Sequence, residues 1–166
     1  MIRFSCLIAC LISLGSAQIP STTDWRGLSP LKSTRMDVER TLGPPHQNID
    51  KQLLTYRFDN MVVYFAFASN PNCQQQLSYI SWNVTSDTLT GIDVTFRPGP
   101  LVANTGIDLT KYKKIEVEGD LLDHYAYFNA DNSFAIEVGN NYLAGYHYQP
   151  GTTHENLRCP VKRNAP

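Results

Sequence analysis

The stretch LKSTRMDVERTLGPPHQNIDKQLLTYRFDNMVVYFAFA, residues 31–68, changes from a helical to a strand period, and that change decides the fold class. In its first half Thr34 is placed to accept from the first-turn N–H groups of a helix, and Asp37 completes a T-x-x-D capping box. Asp37 and Glu39 lie near the positive end of the helix dipole. Val38 and Leu42, four apart, form one apolar stripe. Gly43 offers a left-handed stop, and Pro44 and Pro45 block continuation. Residues 46–50, HQNID, read as a loop. From Gln52 onward Leu54, Tyr56 and Phe58 alternate with Thr55 and Arg57. Asp59-Asn60 then offers a two-residue turn that tolerates positive φ, and residues 61–68 read as the second strand of a hairpin.

Downstream, Asn70-Pro71-Asn72 breaks the chain. Residues 78–84 resume a strand with Ile80, Trp82 and Val84 on one face, and residues 89–97 alternate Ile92, Val94 and Phe96 with Asp93 and Thr95. Pro98-Gly99-Pro100 then marks a seam. Beyond it the pattern predicts a short helix near 108–112, a strand at 115–118, strands at 124–128 and 133–138 around a turn at 129–132, and a last strand at 142–149 after Gly139-Asn140-Asn141. The expected fold is α+β, antiparallel β-meanders with one or two short helices. It forms a single domain over 25–160, whose pseudo-halves 25–97 and 101–160 are candidate repeats, with a tail at 161–166.

Upstream, residues 1–17 have the form of a signal peptide. Arg3 supplies the charge, residues 4–14 are uncharged, and Gly15-Ser16-Ala17 puts small residues where a signal peptidase reads, so cleavage is expected after Ala17. The h-region would rise only about 16 Å as a helix, about half a bilayer core, so no transmembrane anchor is expected. Leu7-Ile8-Ala9-Cys10 has the form of a lipobox, but cleavage there leaves too little apolar length for export. Residues 18–24 read as a flexible leader. Trp25-Arg26-Gly27-Leu28 begins the fold, with Trp25 as a lid over the core.

The resulting chain is secreted or periplasmic. Cys6 and Cys10 leave with the leader, and Cys73 and Cys159 are expected to pair in an oxidising compartment. That bridge closes a loop worth about 4.5 kcal/mol on the chain-entropy relation. Two lone cysteines lack the C-x-x-C spacing of a zinc site. The chain is 42% hydrophobic and only 17% charged, which favours a folded, sheet-rich domain over disorder. Its net charge is −1 and it has no basic run, which argues against nucleic acid as a partner.

No G-x-S-x-G elbow, H-E-x-x-H helix, P-loop or G-x-G-x-x-G is present, so no catalytic residue, metal or cofactor is expected, and the chain does not read as an enzyme. His124 beside Asp123, His147 between two tyrosines and His154 beside Glu155 are weak metal or acid/base candidates that need the fold to bring them together. Glu116 and Glu118, opposite Ile115 and Val117, read as a solvated strand face. Asn83-Val84-Thr85 matches a glycosylation sequon. By parity Tyr142, Tyr146 and Tyr148 share one face of the last strand, opposite Leu143, Gly145 and His147, and form the candidate binding surface.

The run Thr34-Arg35-Met36-Asp37-Val38 through Leu42-Gly43-Pro44-Pro45, followed by a tyrosine-bearing hairpin, resembles the SmpA/OmlA outer-membrane lipoproteins, in which a T-x-x-x-V helix enters a Leu-Gly-x-Pro turn. The same helix-then-sheet unit, duplicated, resembles the β-lactamase inhibitory proteins. Trp25-Arg26-Gly27, the Ser-Thr-Arg helix, Trp82-Asn83-Val84 and Leu157-Arg158-Cys159-Pro160 also resemble a group of uncharacterised secreted bacterial proteins. These resemblances imply an architecture and no activity. The expected function is an exported, non-catalytic interaction or structural module for a protein partner. The alternatives are a small metal- or histidine-dependent hydrolase built on the three histidines, and a lipid-anchored envelope assembly factor.

Overall fold

In a computed structural model of the chain, helix α1 occupies Arg35–Leu42 and begins with the capping box that its sequence offers. Asp37 N–H donates to Thr34 Oγ1 at 3.3 Å, and Thr34 N–H donates to Asp37 Oδ2 at 2.8 Å. Val38 is fully buried and Leu42 packs at the edge of the same core. Gly43 ends the helix by donating to Glu39 O, but with φ +79° and ψ −165° it lies outside the left-handed helical well expected of it. The structure describes residues 20–68, 73, 82–117 and 123–160. Residues 1–17, expected as a signal peptide, with Cys6 and Cys10, Glu118, Asp120, the tail 161–166 and residues 78–81 of an expected strand lie outside the described residues.

Among the described residues eight strands follow: β1 Gln47–Asp50, β2 Leu53–Phe58, β3 Met61–Phe67, β4 Leu89–Phe96, β5 Lys113–Glu116, β6 His124–Phe128, β7 Phe134–Gly139 and β8 Tyr142–Tyr148. They form one antiparallel sheet in the order β1-β2-β3-β4-β8-β7-β6-β5. Two four-stranded meanders therefore meet through β4 and β8. The described helical content is α1 and the short 3-10 segments Val102–Asn104, Leu109–Lys111 and Thr152–Leu157, so the fold is mostly β and the α+β expectation overstates helix. Irregular chain does much of the covering that helices would do in an α+β fold.

Several local expectations change. Residues 46–50 are not a loop, since Gln47–Asp50 is the edge strand β1, with a register shift between Asn48 and Asp50. Its polar sequence hides it from a periodicity argument. Of the expected strand 78–84, the described part holds only an isolated bridge between Trp82 and Arg158. Asp59-Asn60 connects β2 to β3 without positive φ, whereas Asn140 and Asn141, at φ 50° and 66°, make the primed turn between β7 and β8. At the opposite edge all four residues of β5 are exposed. Both sheet edges are thus short and polar, a pattern that discourages pairing with a second sheet.

Alternation sends Leu54, Tyr56, Val63, Phe65, Ile92 and Val94 to one face, where they join Phe134, Ile136 and Val138 in a single core. Trp25, Val38, Val102 and Leu109 close over that face. Trp25 contacts Phe58 and Phe65 at ring separations of 6.0 and 5.7 Å, the lid role expected of it. Within residues 20–24, expected as a flexible leader, the Ser21 hydroxyl donates to Asp24, and Gly27 N–H donates to the same carboxylate. Cys73 and Cys159 form a disulfide with Cα atoms 5.5 Å apart.

The two meanders carry the same irregularity. Ala66 pairs with Gly91 and Phe67 with Leu89, which leaves Thr90 as a bulge. Glu137 pairs with Gly145 and Val138 with Leu143, which leaves Ala144 as the matching bulge. Each bulge immediately precedes a glycine, and each lies on a strand of the seam.

Candidate functional site

The face of the sheet opposite the core is built from the alternate residues. One row of cross-strand partners crosses all eight strands: Gln47, Thr55, Tyr64, Asp93, His147, Ala135, Phe128 and Lys113. Thr55 and Ala135 are buried, Tyr64, Asp93, His147 and Phe128 are half-buried, and the ends are exposed. The core on the other face is what α1 and the 3-10 segments Val102–Asn104 and Leu109–Lys111 pack against.

Asp93 and His147 occupy the middle of this row. His147 Nδ1 is hydrogen-bonded to Asp93 Oδ1, and Nε2 lies 3.3 Å from Gln149 Oε1. Burial disfavours the charged ring, but the Asp93 carboxylate, the Gln149 oxygen and the nearby Glu137 outweigh it and hold the His147 pKa above its ordinary value. The side chains are 30% and 50% exposed respectively, so water screens the pair substantially.

The three histidines do not converge. His124 pairs with Gly139, four residues along β7 from the Ala135 that faces His147, which is about 14 Å at the rise of an antiparallel strand. His154 lies exposed in the Thr152–Leu157 segment with its Nδ1 3.1 Å from Thr153 Oγ1. Among the described residues no three His, Cys, Asp or Glu side chains are grouped as a metal set. Glu116 is exposed on β5, as expected of a solvated strand.

The tyrosine set also changes. The bulge at Ala144 reverses the parity of β8, so Leu143 joins Tyr146 and Tyr148 on the core face. Tyr142 leaves the set and is 50% exposed. Tyr146 meets Phe96 edge-on at 5.4 Å, and Tyr148 meets Phe134 at 4.9 Å. Burial, with a smaller contribution from Tyr112, pushes the Tyr146 phenol up to about 12, and burial pushes Tyr148 higher still. Beneath the seam both tyrosines line a cavity of about 990 Å³ with Val94, Phe96, Ile107 and Leu143. Neither the Asp93–His147 pair nor this cavity is legible in the sequence. The one available signal was that Asp93 alternates with Ile92 and Val94 and so had to point away from the core.

Among the described residues no helix is long and apolar enough to cross a membrane. Comparison with protein-family models, with curated proteins and with solved structures finds no match to this chain.

Proposed function

We propose that this chain is an exported, non-catalytic binding module that holds a protein partner on the second face of its sheet. The observation supporting this reading is the row Thr55, Tyr64, Asp93, His147, Ala135 and Phe128 on the face away from α1. Tyr64 and Phe128 are aromatic anchors of the kind that dominate interfaces, and Ala135, Gly91 and Gly145 keep the floor between them low. Hydrogen-bonded strands hold these groups in place before a partner arrives, so binding costs little ordering entropy. The Cys73–Cys159 disulfide supports the exported part of the reading.

A photo-crosslinking side chain placed at Thr95, beside Asp93 on the same face, tests it against the same group at Met36, which is exposed on α1. One protein adduct from Thr95, lost in Tyr64→Arg and absent from Met36, is the expected outcome. Adducts from both positions, or from neither, count against it.

A further inference from the structure

The cavity under the seam lies on the core face, on the other side of the sheet from Asp93 and His147, and stands independently of the partner reading. We infer that it binds a small, uncharged and mostly apolar molecule whose hydrogen-bonding oxygen is received by the Tyr148 hydroxyl. This space is a cleft open to solvent on the side of Ser21, Arg26 and Asn60, and at about 990 Å³ it matches the size of ligand pockets.

Its walls set the chemistry. Val94, Phe96, Ile107 and Leu143 give an apolar lining that offers water few partners. Tyr148 also lines the cavity, is only 1% exposed, and its hydroxyl has no hydrogen-bond partner. Buried phenols normally find one. Tyr56 in the same core shows the usual solution, donating to Gly43 O at 2.8 Å. The unmet donor of Tyr148, closed off from water behind the cavity wall, is therefore the polar handle a ligand reaches by parting the lining, and its raised pKa keeps the proton on it.

Charge argues for a neutral ligand. Asp24 and Arg26 are the charged groups among the described lining residues, and Arg26 is exposed to solvent. Asp24 accepts from Gly27 N–H and the hydroxyls of Ser21 and Thr23, while the Arg26 guanidinium lies over Trp25 and Phe58 at 4.6 and 4.8 Å. A charged ligand held between the apolar walls would give up hydration that the solvent-exposed Arg26 repays only in part, which is costly.

The test titrates Nile red, a neutral apolar dye with a ketone oxygen, into the purified exported protein. Saturable one-to-one binding with blue-shifted emission is expected. Tyr148→Phe keeps the ring and removes only an unpartnered hydroxyl, so its melting temperature should hold or rise while dye affinity falls about 3- to 10-fold. Ile107→Trp, which adds bulk at one wall of the cavity, should weaken binding, and the anionic dye anilinonaphthalene sulfonate should bind more weakly than Nile red. Unsaturable binding, equal affinity in Tyr148→Phe, or equal affinity for the anionic dye would overturn the proposal. Tyr148→Phe retains the decision if the tryptophan variant fails to fold.

Discussion

Asp93 and His147 face each other across the seam between the two meanders, and each takes the other's place when the meanders are aligned on their bulges. That alignment carries Thr90 to Ala144, Gly91 to Gly145 and Asp93 to His147, a separation of 54 residues. Where two related strands pair antiparallel, the residue at the centre meets its own counterpart. Identical ionisable residues there would put like charges directly opposite, which destabilises a sheet. A carboxylate opposite an imidazole turns the same position into an attractive pair.

The pair makes stability depend on pH with a definite sign. Burial opposes the imidazolium but Asp93 outweighs it, so the folded pKa of His147 is raised. The stabilisation is then fully present below the unfolded value near 6.5 and is lost as pH rises through the folded value. Denaturant melts at about pH 5 and about pH 9 should show the loss in wild type, and Asp93→Asn should remove that difference. Proton NMR of the His147 ring should give a midpoint above 6.5 that falls in Asp93→Asn. A wild-type midpoint below the ordinary value contradicts the assignment.

Gly145 should tolerate no side chain although its counterpart Gly91 does. A Cβ at Gly145 would sit 2.2 Å from the Val94 carbonyl oxygen, whereas one at Gly91 comes no closer than 3.7 Å to any neighbour. Gly145→Ala is expected to cost about 3 kcal/mol because backbone must move, and Gly91→Ala less than about 1 kcal/mol. Urea midpoints of the two variants decide this. Equal losses would show that the seam is not the tight contact.

Reduction should cost the protein a large share of its stability. The Cys73–Cys159 bridge spans 86 residues and ties the β3–β4 connection to the chain after β8. The chain-entropy relation gives about 4.5 kcal/mol for such a loop, an upper figure if the reduced chain keeps residual structure. Guanidinium unfolding with and without reductant, and of the double variant Cys73→Ser with Cys159→Ser, measures it. Coincident curves would mean that the bridge constrains little.

Thr34→Ala should cost about 1 kcal/mol through the lost cap, while Thr34→Ser stays within a few tenths. The same residue forms an isolated bridge with Thr88 just before β4, so fraying of α1 should reach the start of that strand. Amide exchange at Val38 and Leu89 reads both ends. Asp37 is held below the usual carboxylate range by its bonds from Thr34, so the cap weakens as pH falls through its folded pKa.

What the sequence determined by itself is local. The Thr34 and Asp37 capping box, the hydrophobic pair Val38 and Leu42, and the period-2 runs of β2, β3 and β4 depend on neighbours a few residues away, and the folded chain keeps each of them. Cys73 and Cys159, the two cysteines outside the expected leader, are the ones that pair. Tertiary structure alone decided that β4 lies beside β8, that polar Gln47–Asp50 is a strand, and that Ala144 is bulged. Strand pairing is a hydrogen-bond choice between segments far apart in sequence, and nothing in either segment names its partner. The bulge then reversed the parity of β8, and that one-residue slip moved Tyr142 out of the candidate surface and set Tyr146 and Tyr148 over the cavity.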